Sequence, residues 1–126
     1  MALDRRSVLV VEDEEQVRQL LALMLQRQGY EVTTVLNGLE AVDELRKRRF
    51  DVIVADYESP HLDGMRLMLL VRIMWPLIPV ILLSGEPGRS QRWATELGAF
   101  ACFLKPFPSD EFLRSVDQAA AYQCVS

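Results

Sequence analysis

Short β-branched apolar runs alternate with amphipathic helical segments five times, the connections are brief, and acidic, hydroxyl or cationic residues stand where the runs end. Alternation of this kind places helices on both faces of a parallel sheet, because right-handed crossovers leave few other arrangements. The sequence therefore predicts an α/β fold of the flavodoxin-like (βα)5 type, a three-layer sandwich whose five-stranded sheet has the order 2-1-3-4-5. The 126 residues suit one domain spanning 1–126.

The first strand is Val-Leu-Val-Val at 8–11, a continuous apolar run of the kind buried on both faces, and it stops at Glu12 and Asp13. Over 14–28, Val17, Leu20, Leu21, Met24 and Leu25 recur at helical spacing, and Gly29 supplies a C-terminal cap. The unit then repeats as strand 31–35 and helix 39–48, strand 50–55 and helix 65–74, strand 80–83 and helix 88–97, and strand 100–104 and helix 109–121. Asp56 follows the third strand, Ser84 the fourth and Lys105 the fifth. In such sheets ligands bind beyond the carboxyl ends of the strands, where the winding direction reverses.

Composition narrows the function classes. With 14 basic and 18 acidic side chains the net charge is −4, and the one basic run is Arg46, Lys47, Arg48 and Arg49 at a helix end, which argues against direct nucleic-acid binding. Cys102, Cys124 and a single histidine offer neither a zinc spacing nor a disulfide framework, so a reducing cytoplasm is expected. No secretory signal is visible at the start. The most apolar stretch, 65–83, holds Arg66, Arg72, Pro76 and Pro79 and is too interrupted to span a bilayer. No membrane association is expected.

Three carboxylates gathered at one edge repel one another unless a cation joins them. Magnesium prefers oxygen ligands and takes one or two carboxylates with phosphate oxygens, so Asp13 and Asp56 suit direct ligation, with Glu12 acting through water. A carboxylate beside such an ion can attack phosphorus, while a lysine and a hydroxyl, here Lys105 and Ser84, steady the transferred oxygens.

Glu12-Asp13-Glu14 after the first strand, Asp56-Tyr-Glu-Ser-Pro60-His-Leu-Asp63-Gly64, Ser84-Gly85 and Lys105-Pro106-Phe107 together resemble the response regulator receiver family of two-component signalling in order and spacing, over essentially the whole chain. The resemblance implies that Asp56 is the phosphoacceptor, that Glu12 and Asp13 are the acid pair, that the backbone carbonyl of Glu58 is a third ligand of Mg2+, and that Lys105 and Ser84 contact the phosphoryl group. It further implies a cis Lys105-Pro106 bond. The implied partners are a sensor histidine kinase or histidine phosphotransfer protein as donor, and a downstream protein that meets helix four, strand five and helix five of the order above. A monomer or weak dimer is expected, and a turnover enzyme is not.

The chain departs from that family at one switch position. Receivers carry Tyr or Phe three residues before the lysine, where Cys102 stands here. Phe103 cannot replace it, since a shift of one residue along a strand turns the side chain to the other face. The switch is then expected to rest on Ser84 and loop movement. Glu58 and Glu86 add negative charge near the expected path of the donor, and Ser59 stands where a larger apolar residue is more usual. His61 is assigned no role. Trp75 and Trp93 read as partly packed helix residues, with Trp93 and Phe100 bordering a partner surface as the other reading.

Two alternatives accompany this assignment. One is a pseudo-receiver, an interaction module not switched by phosphorylation. The other is a small hydrolase or nucleotide binder, disfavoured because the chain has neither a glycine-rich phosphate loop nor a Gly-x-Ser-x-Gly elbow. The sequence suits a stand-alone regulator and a piece of a longer protein equally.

Overall fold

A computed structural model describes residues 5–56, 64–85 and 96–125. The strands are β1 (Ser7–Val11), β2 (Glu31–Val35), β3 (Val52–Asp56), β4 (Val80–Ser84) and β5 (Ala101–Leu104). They form one parallel sheet in the order β2-β1-β3-β4-β5, the predicted one. The helices are α1 (Glu15–Arg27), α2 (Gly38–Lys47), α3 (Gly64–Met74) and a C-terminal α4 (Ser109–Val125). The helix predicted over 88–97 falls mostly outside the described residues.

Strand alternation divides the core in two. Leu9, Val11, Ile53, Ala55 and Leu82 face α2 and α3, where they meet Ala41, Leu45, Leu67 and Val71. Val8, Val10, Val52, Val54, Ile81 and Leu83 face α1 and α4, where they meet Leu21, Leu25, Phe112 and Val116. All eleven of these strand side chains are buried. This is why β1, β3 and β4 read as unbroken apolar runs: both faces are covered, so no polar position is left for an alternating pattern to show.

The ends of the elements follow local chemistry. Asn37 caps α2 by accepting from the Glu40 amide at 3.0 Å, and the Glu40 carboxylate accepts from the Leu36 amide at 2.8 Å, a reciprocal arrangement that satisfies otherwise orphaned donors. Gly29, at φ 94°, turns the chain from α1 into β2. Gly98, at φ 88°, leaves room for Arg72: an added Cβ would stand 2.5 Å from the guanidinium, which donates to the Leu97 carbonyl. Two boundaries differ from expectation by more than one residue. β3 starts at Val52 rather than Phe50, with Asp51 before it exchanging bonds with Ser7 through its amide and its carboxylate, and α4 runs on to Val125.

Among the described residues, no helix is long and apolar enough to cross a membrane.

Tyr30 joins α1's end to α4. Its hydroxyl donates to the Asp117 carboxylate, and burial first, then that bond and charge, raise the phenol above its ordinary pKa. The folded protein thus keeps a proton that the unfolded chain releases as the pH passes about 10. The stability tied to that proton is complete below this pH and is lost as the pH climbs further. Denaturant unfolding of Tyr30→Phe should show a loss of about 1–2 kcal/mol at neutral pH and a shallower decline above about pH 10 than the parent; parallel declines would show that Tyr30 does not set the alkaline limb.

Candidate functional site

The carboxyl ends of β1, β3 and β5 bring together residues far apart in sequence. Glu12 directly follows β1, and its amide donates to the Val35 carbonyl at 3.0 Å, which ties the end of β1 to β2. Asp56 is the last residue of β3. Lys105 follows β5, its amide donating to the Ser84 carbonyl at 2.8 Å. Glu12 and Asp56 continue the parity of Val8, Val10, Val52 and Val54, and Lys105 continues that of Ala101 and Phe103, so all three belong to the face that carries α1 and α4.

The lysine ammonium donates to Glu12 Oε1 at 2.9 Å and to Asp56 Oδ2 at 3.3 Å. Glu12 is 1% exposed and Asp56 6%, so these are buried charges whose pairing matters. Asp13 is exposed, yet one oxygen from each of Glu12, Asp13 and Asp56 lies within 4.8 Å of the others. Among the described residues, the side-chain ion pairs of these three carboxylates come from one ammonium, so negative charge is in excess when all are ionised.

Burial and neighbouring charge together set the titration of the cluster. Burial drives the Glu12 carboxyl up to about 7; the bond from Lys105 pulls it partly back and the Asp56 charge pushes it up again. For Lys105, burial alone would lower the pKa, but the bond to Glu12 and the charges of Asp56 and Glu12 outweigh it and leave the ammonium more firmly protonated. Hard oxygen donors, mutually within 4.8 Å and short of positive charge, fit a divalent cation that prefers oxygen.

One contributor was not singled out in the sequence. Arg18, on the first turns of α1, donates through Nη1 to the Glu12 carbonyl at 3.1 Å and the Asp13 carbonyl at 3.4 Å, pinning the acidic loop against the helix. The Glu14 amide closes the same loop onto Glu12 Oε2 at 3.3 Å. The available signal was a lone arginine one helical turn beyond Glu12-Asp13-Glu14-Glu15, which reads equally well as a solvated helix residue.

Ser84 closes β4 and is fully buried, one residue past Leu83, the register partner of Asp56. Its parity is that of Leu82, hence of the α2 and α3 face. Cys102, the register partner of Leu82, is half-buried against that same face. Phe103 lies on the other, in a ring cluster with Phe107 and Phe112 at centroid distances of 5.9 and 6.0 Å. The two neighbours thus occupy opposite faces, as strand alternation requires. The Lys105-Pro106 bond is cis. Glu58, Ser59, His61, Glu86 and Trp93 lie outside the described residues. Trp75, just past α3, is half-buried against the α2 and α3 core.

Comparison with known proteins gives a consistent picture. The family model described as the response regulator receiver domain matches residues 8–117. Sporulation initiation phosphotransferase F of Bacillus subtilis is 33% identical over 111 residues, covering 86% of this chain and 89% of that one. The DNA-binding transcriptional regulator NtrC of Escherichia coli is 31% identical over 121 residues, which are 95% of this chain but 26% of that protein. Among solved structures, the Vibrio cholerae chemotaxis response regulator CheY4 superposes with a TM-score of 0.84 at 30% identity, covering 91% of this chain and 98% of that one. The receiver domain of a Pseudomonas aeruginosa sensor histidine kinase, with a magnesium ion coordinated in its active site cleft, superposes with a TM-score of 0.85 at 28% identity, covering 93% and 98%.

A divalent cation titrated calorimetrically into the parent and into Asp13→Asn should bind the variant at least about tenfold more weakly, since even outer-shell changes at metal sites commonly cost that much. Asp13 is exposed, so the fold should survive, as circular dichroism would verify. Equal affinities would remove Asp13 from the ligand set.

Proposed function

The chain belongs to the response regulator receiver domain family, and on that premise we propose that Asp56 accepts a phosphoryl group from a phosphohistidine of a sensor kinase or phosphotransfer protein. The observation that carries this reading is the position of Asp56: it is buried at the end of β3, held by Lys105 at 3.3 Å, with Glu12 and Asp13 close enough to share a cation with it.

Mg2+ is the proposed cation, held by Asp13, Asp56 and the carbonyl of Glu58 and reached by Glu12 through water; it would offset charge on the carboxylates and the transferred oxygens. An Asp56 oxygen forms the new bond to phosphorus as the donor's P–N bond breaks, and the electron pair of that bond remains on the imidazole nitrogen. Lys105, already between Glu12 and Asp56, is placed to hold a phosphoryl oxygen as a compact positive charge. Ser84, at the end of the adjacent strand, supplies a hydroxyl donor to another.

The phosphorylated domain then acts by changing which proteins it binds, through the 88–97 region, β5 and α4. It assists its own phosphorylation and dephosphorylation and turns over no separate substrate. A cytoplasmic setting follows from that partnership. Several curated relatives are about four times as long as the match, so the output of this chain is left to its own partner rather than taken from theirs.

Intact-mass spectrometry after incubation with a small phosphodonor and Mg2+ should show one added phosphoryl group on the parent and none on Asp56→Asn. Labelling of the variant, or failure of the parent to take up either phosphate or beryllofluoride, would sink the reading and leave an interaction module.

Cys102 replaces the family's aromatic ring on the face shared with Ser84, and we attribute the switch here to Ser84 and loop movement. Cys102→Tyr should accordingly alter affinity for the downstream partner in the phosphorylated state while Asp56 labels at the parent's rate. An unchanged affinity counts against that attribution.

A further inference from the structure

The carboxylate cluster does not account for a second surface, at the other end of the sheet. A cavity of about 490 Å³ lies at the amino ends of β3 and β4, the opposite end of the sheet. One wall is the basic run 46–49 with Phe50, and the other is Trp75, Pro76, Leu77 and Ile78. A second cavity of about 350 Å³ lies between Leu39, Val42 and Arg46 of α2 and Leu70 of α3. Arg46 lines both, so the two lie on either side of its side chain, and together they are termed the groove.

Its floor and lips are apolar and open. Leu39 is 61% exposed and Leu77 70%; Ile73 of α3, which lines neither cavity, is 76% exposed. α3 is apolar nearly all round, which on a surface helix marks a face that expects cover. Its neighbours Leu69 and Met74 are exposed as well.

Charge identifies the cover. Basic residues at the end of α2 are expected in part from the helix dipole, and Lys47 and Arg48 are further matched by Asp43 and Glu44 at 3.3 and 3.4 Å. Arg48 also stacks over the Phe50 ring at 5.7 Å. Arg46 and Arg49, however, have no ion pair or side-chain hydrogen bond among the described residues, although the chain as a whole carries a net charge of −4. Two uncommitted guanidinium groups beside an apolar groove favour a ligand that is apolar on one side and acidic on the other, since an arginine fork binds carboxylates with defined geometry.

We propose that the groove between α2 and α3 docks an acidic amphipathic helix of a partner protein, its apolar side chains seated against Leu39, Leu70, Trp75 and Leu77 and its carboxylates on Arg46 and Arg49. The groove's main cavity is remote from Asp56, so this contact does not depend on the phosphoryl chemistry and serves as a constitutive tether alongside a switched one.

The probe is a synthetic helical peptide with glutamates on one face and leucine and phenylalanine on the other, titrated into the isotope-labelled chain with amide shifts as readout. The shifts should cluster at 39–50 and 70–78, and binding should weaken with added salt. Arg46→Glu combined with Arg49→Glu should reduce affinity roughly tenfold or more, with Asp56 labelling unchanged and circular dichroism still that of the folded parent, the unfolding midpoint falling only by the lost helix-dipole contribution. Absence of binding, shifts elsewhere, or equal binding of a lysine-faced peptide overturns the proposal. So does a concentration-dependent dimer that the same double variant dissolves, which would assign the groove to a second copy. Binding to anionic vesicles in place of the peptide would assign it to a lipid surface and overturn it likewise.

Discussion

Burying two carboxylates is costly, and in this protein the cost is met by one ammonium delivered from another strand. Glu12 and Asp56 are almost inaccessible to water, and Lys105 reaches both from 93 and 49 residues away in sequence. Removing one partner from a buried ionic group typically costs about 3–5 kcal/mol, because the charge left behind is neither solvated nor paired. The positions of β1, β3 and β5 are therefore coupled through this cluster as well as through the apolar core. Among the described residues the carboxylates of this cluster outnumber the cation paired with them, which suits the pocket to a divalent cation.

The sheet converts this electrostatic requirement into geometry. Parallel pairing lines up the carboxyl ends of adjacent strands, so residues one step beyond each strand become neighbours whatever their separation along the chain. Parity then sorts them. Glu12, Asp56 and Lys105 share the α1 and α4 face, whereas Ser84 and Cys102 share that of α2 and α3. A signal passing from Asp56 toward Ser84 and Cys102 would thus cross from one layer of the sandwich to the other. Arg18 adds a clamp from outside the sheet, holding the carbonyls of the acidic loop to α1.

The opposite end of the sandwich is built on a different balance. There the apolar core reaches the surface through Trp75 and Leu77, and the basic end of α2 stands beside it with only part of its charge matched. The acidic pocket and the main cavity of the basic, apolar groove are separated by the length of the sheet, so a ligand in that cavity need not touch the carboxylates.

The sequence by itself determined the layers, the strand order and the strands to within one or two residues, because unbroken apolar runs and helical periodicity report burial directly and short connections restrict the topology. It also pointed to Glu12, Asp13, Asp56 and Lys105, since polar residues that interrupt such runs stand out by type and position. The tertiary structure alone decided the pairing of Lys105 with both carboxylates, the clamp of Arg18 and the union of α2's basic end with Trp75 and Leu77. These depend on side-chain reach and on which element lies beside which. A linear pattern records how often a residue is buried, but not which distant atom it meets.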